Sequence, residues 1–115
     1  MSVKILHNPR CSKSRQTLAL LSENGVQPEI IEYLKQAPSA DEIKEIAKML
    51  GVKSVREMMR TGEAIYKELN LAAVDDESRL IRAMVENPKL IERPIVINGT
   101  KAAIGRPPES VLSIL

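Results

Sequence analysis

At 115 residues, 43% of them apolar, the chain has the length of one ordinary domain and enough hydrophobic material to fill a core. Aromatic residues make up only 2%, which argues against modules that stack bases on exposed rings, and 17 basic against 15 acidic side chains leave +2, too little for a nucleic-acid or anionic-membrane footprint. No run approaches the ~20 apolar residues that span a bilayer, there is no signal-peptide core, and one cysteine cannot form an internal disulfide, so a cytoplasmic domain with no nucleic-acid or membrane partner is expected.

Residues 3–7 are short, apolar-leaning and stopped by Asn8-Pro9, which predicts a strand. From Ser12 the pattern changes to helical spacing, with Leu18, Ala19 and Leu21 recurring up to residue 24, and Gly25 stands where a glycine would end the helix. Ile30, Ile31, Tyr33 and Leu34 predict a second strand starting near Pro28. Two strands around one helix form a βαβ unit, whose crossover makes the pair parallel and right-handed.

The middle of the chain reads as helical. Ser39 with Glu42 is a capping-box signature before Ile43, Ile46, Ala47 and Leu50, with Gly51 as the stop. Ser54 and Glu57 repeat the signature before Met58 and Met59. A further helix is expected from about Asp75, whose acidic neighbours suit the positive end of a helix dipole; it should turn Leu80, Ile81, Met84 and Val85 inward and stop before Pro88. Residues 94–97 and 100–104 then flank Asn98-Gly99, the strongest short-range hairpin signal. A final helix is expected over residues 109–115, with Val111, Leu112 and Leu115 on its apolar face. The order is βαβ, a block of helices, then ββα. It matches an α/β, thioredoxin-like fold with a helical insertion, roughly residues 39–88, inside one domain of residues 1–115.

Cys11 stands where the first strand has ended and the first helix begins. Unpaired N–H groups and the positive end of the helix dipole meet there, and both favour a thiolate over a thiol. The neighbours are polar or basic (His7, Arg10, Lys13, Arg15), a setting unlike that of a cysteine buried as a small hydrophobe. A dithiol redox motif would need a second cysteine at position 14, which is Ser14. A phosphatase-type anion loop would need an arginine six places after the cysteine, which is Thr17. Any oxidised intermediate on Cys11 must therefore be completed by an external thiol.

The run His7-Asn8-Pro9-Arg10-Cys11-Ser12-Lys13-Ser14-Arg15 resembles the active-site loop of the glutaredoxin-coupled, one-cysteine arsenate reductases. The likeness continues through Arg60 in Met-Met-Arg-Thr-Gly, Arg93 in Glu-Arg-Pro-Ile-Val and Arg106 in Gly-Arg-Pro-Pro-Glu. It implies that Cys11 attacks arsenate to form a thiol–arsenate adduct, that glutathione displaces a second oxygen, and that glutaredoxin resolves the mixed disulfide as arsenite leaves. It implies substrate-binding roles for Arg60, Arg93 and Arg106, thiolate-stabilising roles for His7, Ser14 and Arg15, and a cis peptide before Pro94. It further implies glutathione as co-substrate, no bound cofactor and no metal. Guanidinium forks suit a tetrahedral oxyanion better than lysine does. Two other readings share the fold: a reductase acting on another oxyanion or a glutathionylated molecule, and a redox regulator of the Spx type that binds RNA polymerase. Against the regulator stand Ser14, where such sensors carry a second cysteine, and the three arginines.

Overall fold

The computed structural model describes residues 3–115. These resolve into two compact units, one formed by Met1–Gln36 together with Arg93–Leu115 and the other by Ala37–Glu92.

The first unit is built on a four-stranded sheet of order β2-β1-β3-β4, with β1 at Val3–Leu6, β2 at Glu29–Ile31, β3 at Ile95–Asn98 and β4 at Lys101–Ile104. β1 runs parallel to β2, with Ile5 opposite Ile30, and antiparallel to β3, with Ile5 opposite Val96. The ladder continues one residue beyond β1, because the His7 N–H donates to the Ile31 carbonyl at 2.8 Å. Helix α1 (Ser12–Glu23) makes the β1–β2 crossover. It ends as the sequence suggests: Gly25 takes φ +75°, its N–H reaches Ser22 O, and the Val26 N–H reaches Leu21 O, the paired bonds of a Schellman closure. Ile5, Leu21, Val96 and Val111 form the buried centre of this unit, with Leu18, Val26 and Ile114 packed around them. Each such aliphatic side chain contributes about 1.5–3 kcal/mol on full burial.

Three details of this unit differ from the sequence reading. β2 stops at Ile31, and Tyr33 is buried from a turn, in which Lys35 and Gln36 N–H groups donate to the Glu32 carbonyl, while Leu34 is exposed. The β3–β4 hairpin closes over Gly99 and Thr100 instead of Asn98 and Gly99: Asn98 pairs with Lys101, and only Gly99 has positive φ, +64°. That pattern fits a turn with glycine first, and it frees the Asn98 amide to donate to the Ile114 carbonyl at 2.6 Å. The last segment is a 3-10 helix, Pro108–Ile114, with Val111 buried and Leu112 and Leu115 exposed. Two prolines at its start remove N–H donors, and too few residues follow to establish α-helical pairing.

The second unit holds α2 (Ala40–Leu50), α3 (Ala64–Glu68) and α4 (Glu77–Glu86). Both predicted capping boxes are present, at Ser39–Glu42 and Ser54–Glu57. The second opens only a 3-10 turn, Val55–Met58, because Met59 leaves helical geometry to bridge Ile91. The short α3 is an element that periodicity did not reveal. In α4, capped by Asp76, Leu80, Ile81 and Met84 are buried as expected; Val85 is half-buried and Ala83 takes the fourth buried position. Arg56 staples this unit: its guanidinium donates to Tyr66 Oη, to Leu71 O at 3.0 Å and to Val74 O. Glu77 reaches back to accept from the Val55 N–H at 2.5 Å and from Ser54 Oγ at 2.9 Å. No helix among the described residues is long and apolar enough to cross a membrane.

Candidate active site

The loop from His7 to Cys11 is tied down by its own backbone and by the first turn of α1. Asn8 is its brace. The Asn8 side-chain oxygen accepts from the Arg10 N–H at 3.0 Å, the Asn8 carbonyl accepts from the Cys11 N–H at 3.0 Å, and the Asn8 N–H donates to Ser14 Oγ at 3.0 Å. Arg15 turns back along the loop and donates from Nη1 to the Pro9 carbonyl at 2.9 Å. Its nearest work is thus to hold the loop's shape. Sequence reasoning passed over Asn8, although an asparagine ahead of a proline is a recognised Asx-turn signal.

Cys11 is the residue just before α1, in extended geometry at φ −91° and ψ 123°, with its carbonyl accepting from Arg15 N–H at 3.0 Å. Its side chain is partly exposed. Burial works against the thiolate and raises the thiol pKa, but the Ser14 N–H, the Arg93 charge, the Lys13 N–H and the Arg106 charge outweigh it, so the net shift is downward. The backbone at a helix start and two guanidiniums converge on one sulfur. That is the setting that turns a cysteine into a nucleophile at neutral pH.

Arg93 and Arg106 both bring their charge to bear on the thiol. Arg106 Nε donates to the Arg93 carbonyl at 2.9 Å, and Arg106 Nη2 lies 3.8 Å from Cys11 Sγ. Each arginine precedes a proline across a cis peptide, Arg93-Pro94 and Arg106-Pro107. The first of these was expected; the second was not. Gly105 lies between them, its N–H donating to the Pro94 carbonyl at 2.9 Å.

Beneath Cys11, His7 and Ser14 are both buried, and Ser14 Oγ stands 2.6 Å from His7 Nδ1. Burial lowers the His7 pKa; Glu32 raises it and Arg15 lowers it further, leaving a net downward shift. Ser14 Oγ thus accepts from Asn8 N–H and is also hydrogen-bonded to His7 Nδ1. The pair seals the turn that presents its N–H to the sulfur.

Arg60 belongs to the second unit. Its N–H donates to Leu90 O at 2.7 Å, and its guanidinium pairs with Glu63 at 3.2 Å. Among the described residues no group of three or more His, Cys, Asp or Glu could hold a metal ion.

The model of the ArsC family matches residues 6–114. The chain is 59% identical to the uncharacterized protein YfgD of Escherichia coli (strain K12), over 98% of this chain and 96% of that one. It is 58% identical to an arsenate reductase of Haemophilus influenzae, over the whole of both chains. Among solved structures, an arsenate reductase from Vibrio cholerae is similar at a TM-score of 0.97 and 54% identity, covering 100% of this chain and 98% of that one.

Proposed function

The chain belongs to the ArsC family, and from that premise we propose that it is an arsenate reductase working through Cys11, with glutathione and glutaredoxin as the source of electrons. The observation that carries this reading is the partly exposed Cys11 sulfur, with its pKa lowered, 3.8 Å from Arg106 Nη2. A thiolate there can attack the arsenic of arsenate as an oxygen leaves, while guanidiniums neutralise the oxyanion. Arg93 and Arg106 are assigned to that anion on their place beside the sulfur, and Arg60 on the family resemblance. His7, Ser14 and Arg15 are assigned to keeping the loop in the shape that presents N–H groups to the thiolate.

Taking arsenic from the +5 to the +3 state requires two electrons. Two thiols supply them and leave as one disulfide, while one oxygen leaves as water. Cys11 is the chain's single cysteine, and Ser14 occupies the place of a resolving thiol, so the disulfide must involve an external thiol. Glutathione fits that requirement, and glutaredoxin is the disulfide reductase that takes glutathione mixed disulfides. The same pair of arginines suits other tetrahedral oxyanions, so substrate choice is part of the test.

The test follows NADPH oxidation with glutathione, glutathione reductase and glutaredoxin, with and without arsenate. Arsenate-dependent turnover that needs both glutathione and glutaredoxin supports the proposal. Turnover sustained by thioredoxin and its reductase without glutathione rejects the electron route, and no turnover with arsenate under any thiol system rejects the substrate.

A further inference from the structure

We propose that Gly105 is a positioning residue: by having no side chain, it sets how closely the first turns of α1, with Cys11 at their head, are held to Arg93 and Arg106. The catalytic consequence rests on the reading above, whereas the positional one concerns the thiol itself.

The steric observation is local and severe. A Cβ built on Gly105 would lie 2.6 Å from Thr17 Oγ1, 2.8 Å from Pro94 Cγ and 3.2 Å from Thr17 Cγ2, the first two closer than real Cβ contacts come. A Cβ at Gly25, Gly51 or Gly62 would meet nothing within 4 Å. Of these four glycines, Gly105 alone is squeezed, and by two different segments of the chain.

What squeezes it decides its role. Thr17 is fully buried on α1, and its Oγ1 donates to the Lys13 carbonyl at 2.8 Å, so it is bonded into the turn whose Lys13 and Ser14 N–H groups face the sulfur. A β-branched side chain so held has few rotamers to escape into. Pro94 follows Arg93 directly and is itself buried, with its carbonyl accepting from Gly105 N–H at 2.9 Å. Arg106 follows Gly105 and is tied to Arg93 O through Nε at 2.9 Å. One added methyl must push Thr17, Pro94 or both. Moving Thr17 carries the first turns of α1 and the Cys11 sulfur with it; moving Pro94 carries Arg93. Either displacement widens the spacing between the sulfur and the groups that favour its ionised form. Those groups are Arg93 and Arg106; the Ser14 and Lys13 N–H groups travel with the sulfur, and His7 faces the same turn through Ser14.

The experiment measures Cys11 alkylation by iodoacetamide against pH in wild type, Gly105→Ala, Thr17→Ala and the double variant. Gly105→Ala should raise the inflection by about 0.5 to 1 pH unit and slow alkylation at pH 6 by about three- to tenfold. The double variant, which removes both Thr17 atoms from the crowded site, should recover at least half of that rise relative to Thr17→Ala. A merely structural role would lower the melting temperature without moving the inflection. A folded Gly105→Ala with the wild-type profile overturns the proposal. If Gly105→Ala does not fold, Thr17→Ala is compared with the double variant, in which contact with Pro94 remains; identical profiles there also overturn it. Arsenate turnover is measured in parallel: wild type lacking it fails the functional reading, while the alkylation series still decides the role of Gly105.

Discussion

The two units use charged side chains in opposite ways. In Ala37–Glu92 they build the structure: Arg56 gathers Tyr66, Leu71 and Val74, Glu77 closes the Ser54 turn, and Glu42 and Glu57 complete capping boxes. In the unit that carries Cys11, a sheet ladder and an aliphatic centre hold the fold, and the arginines gather around a sulfur. The balance differs as well. Residues 1–36 and 93–115 carry eight Lys and Arg against four Asp and Glu, a net +4, whereas residues 37–92 carry nine against eleven, a net −2. The overall +2 thus conceals a basic half in which cations stand near the reactive group. The contrast teaches that an arginine's setting follows from its partners: three groups of its own unit surround Arg56, whereas Arg106 reaches past one carbonyl to lie 3.8 Å from a sulfur.

The contrast can be tested at its extremes. Cys11→Ser should lower arsenate reduction by at least about 1,000-fold, because a serine hydroxyl is a far weaker nucleophile. The urea midpoint should stay at the wild-type value; appreciable residual turnover would remove Cys11 from the centre of the site. The sharper experiment compares two arginines. Arg106→Ala should cut kcat/KM by about 10- to 100-fold and raise the alkylation inflection of Cys11, with little loss of stability. Arg56→Ala should do the reverse, costing about 2–3 kcal/mol by leaving carbonyls without donors while the alkylation inflection stays put. Both substitutions acting on the same observable would dissolve the distinction.

A smaller effect is expected at Ser39→Ala, which removes the acceptor for the Glu42 N–H and should lower stability by about 1 kcal/mol in urea unfolding, with no change at the thiol. The finest expected effect is a pH slope from His7. Its folded pKa is lowered, chiefly by burial, so below the ordinary histidine value of ~6.5 the unfolded chain binds a proton that the folded chain refuses. The stability present above that value is lost as pH falls toward the folded pKa. Urea midpoints recorded from pH 7 downward should show the slope in wild type and lose it in His7→Gln; an equal slope in both would assign it elsewhere.

Much of the site was legible because its signals are local. The polar run around Cys11, the strand before it and the helix after it lie within a dozen residues, and Ser39–Glu42 announces a helix start by itself. The failures share a cause in long-range pairing. Asn98 looks like a turn residue until it is seen paired with Lys101 in the strand, its amide bonded to Ile114 O sixteen residues away, with the turn at Gly99-Thr100. Ser54–Glu57 looks like the start of an α-helix until Met59 is found bridging Ile91. Nothing adjacent to Gly105 tells of Thr17 pressing on it from α1. Nor does the resemblance that gives Arg15 a thiolate-stabilising role tell that its guanidinium is bonded to the Pro9 carbonyl.

The sheet's two margins bear on how the molecule behaves when crowded. β2 and β4 are the outer strands, three and four residues long, and each begins with an exposed charge, Glu29 and Lys101. A short margin offers few free N–H and C=O groups to a second copy, and a charge on it makes docking of like upon like unfavourable. Exposed Ile30 on β2 is the point where that protection is thinnest. Glu29 beside it is the charge that opposes docking of like upon like along that margin.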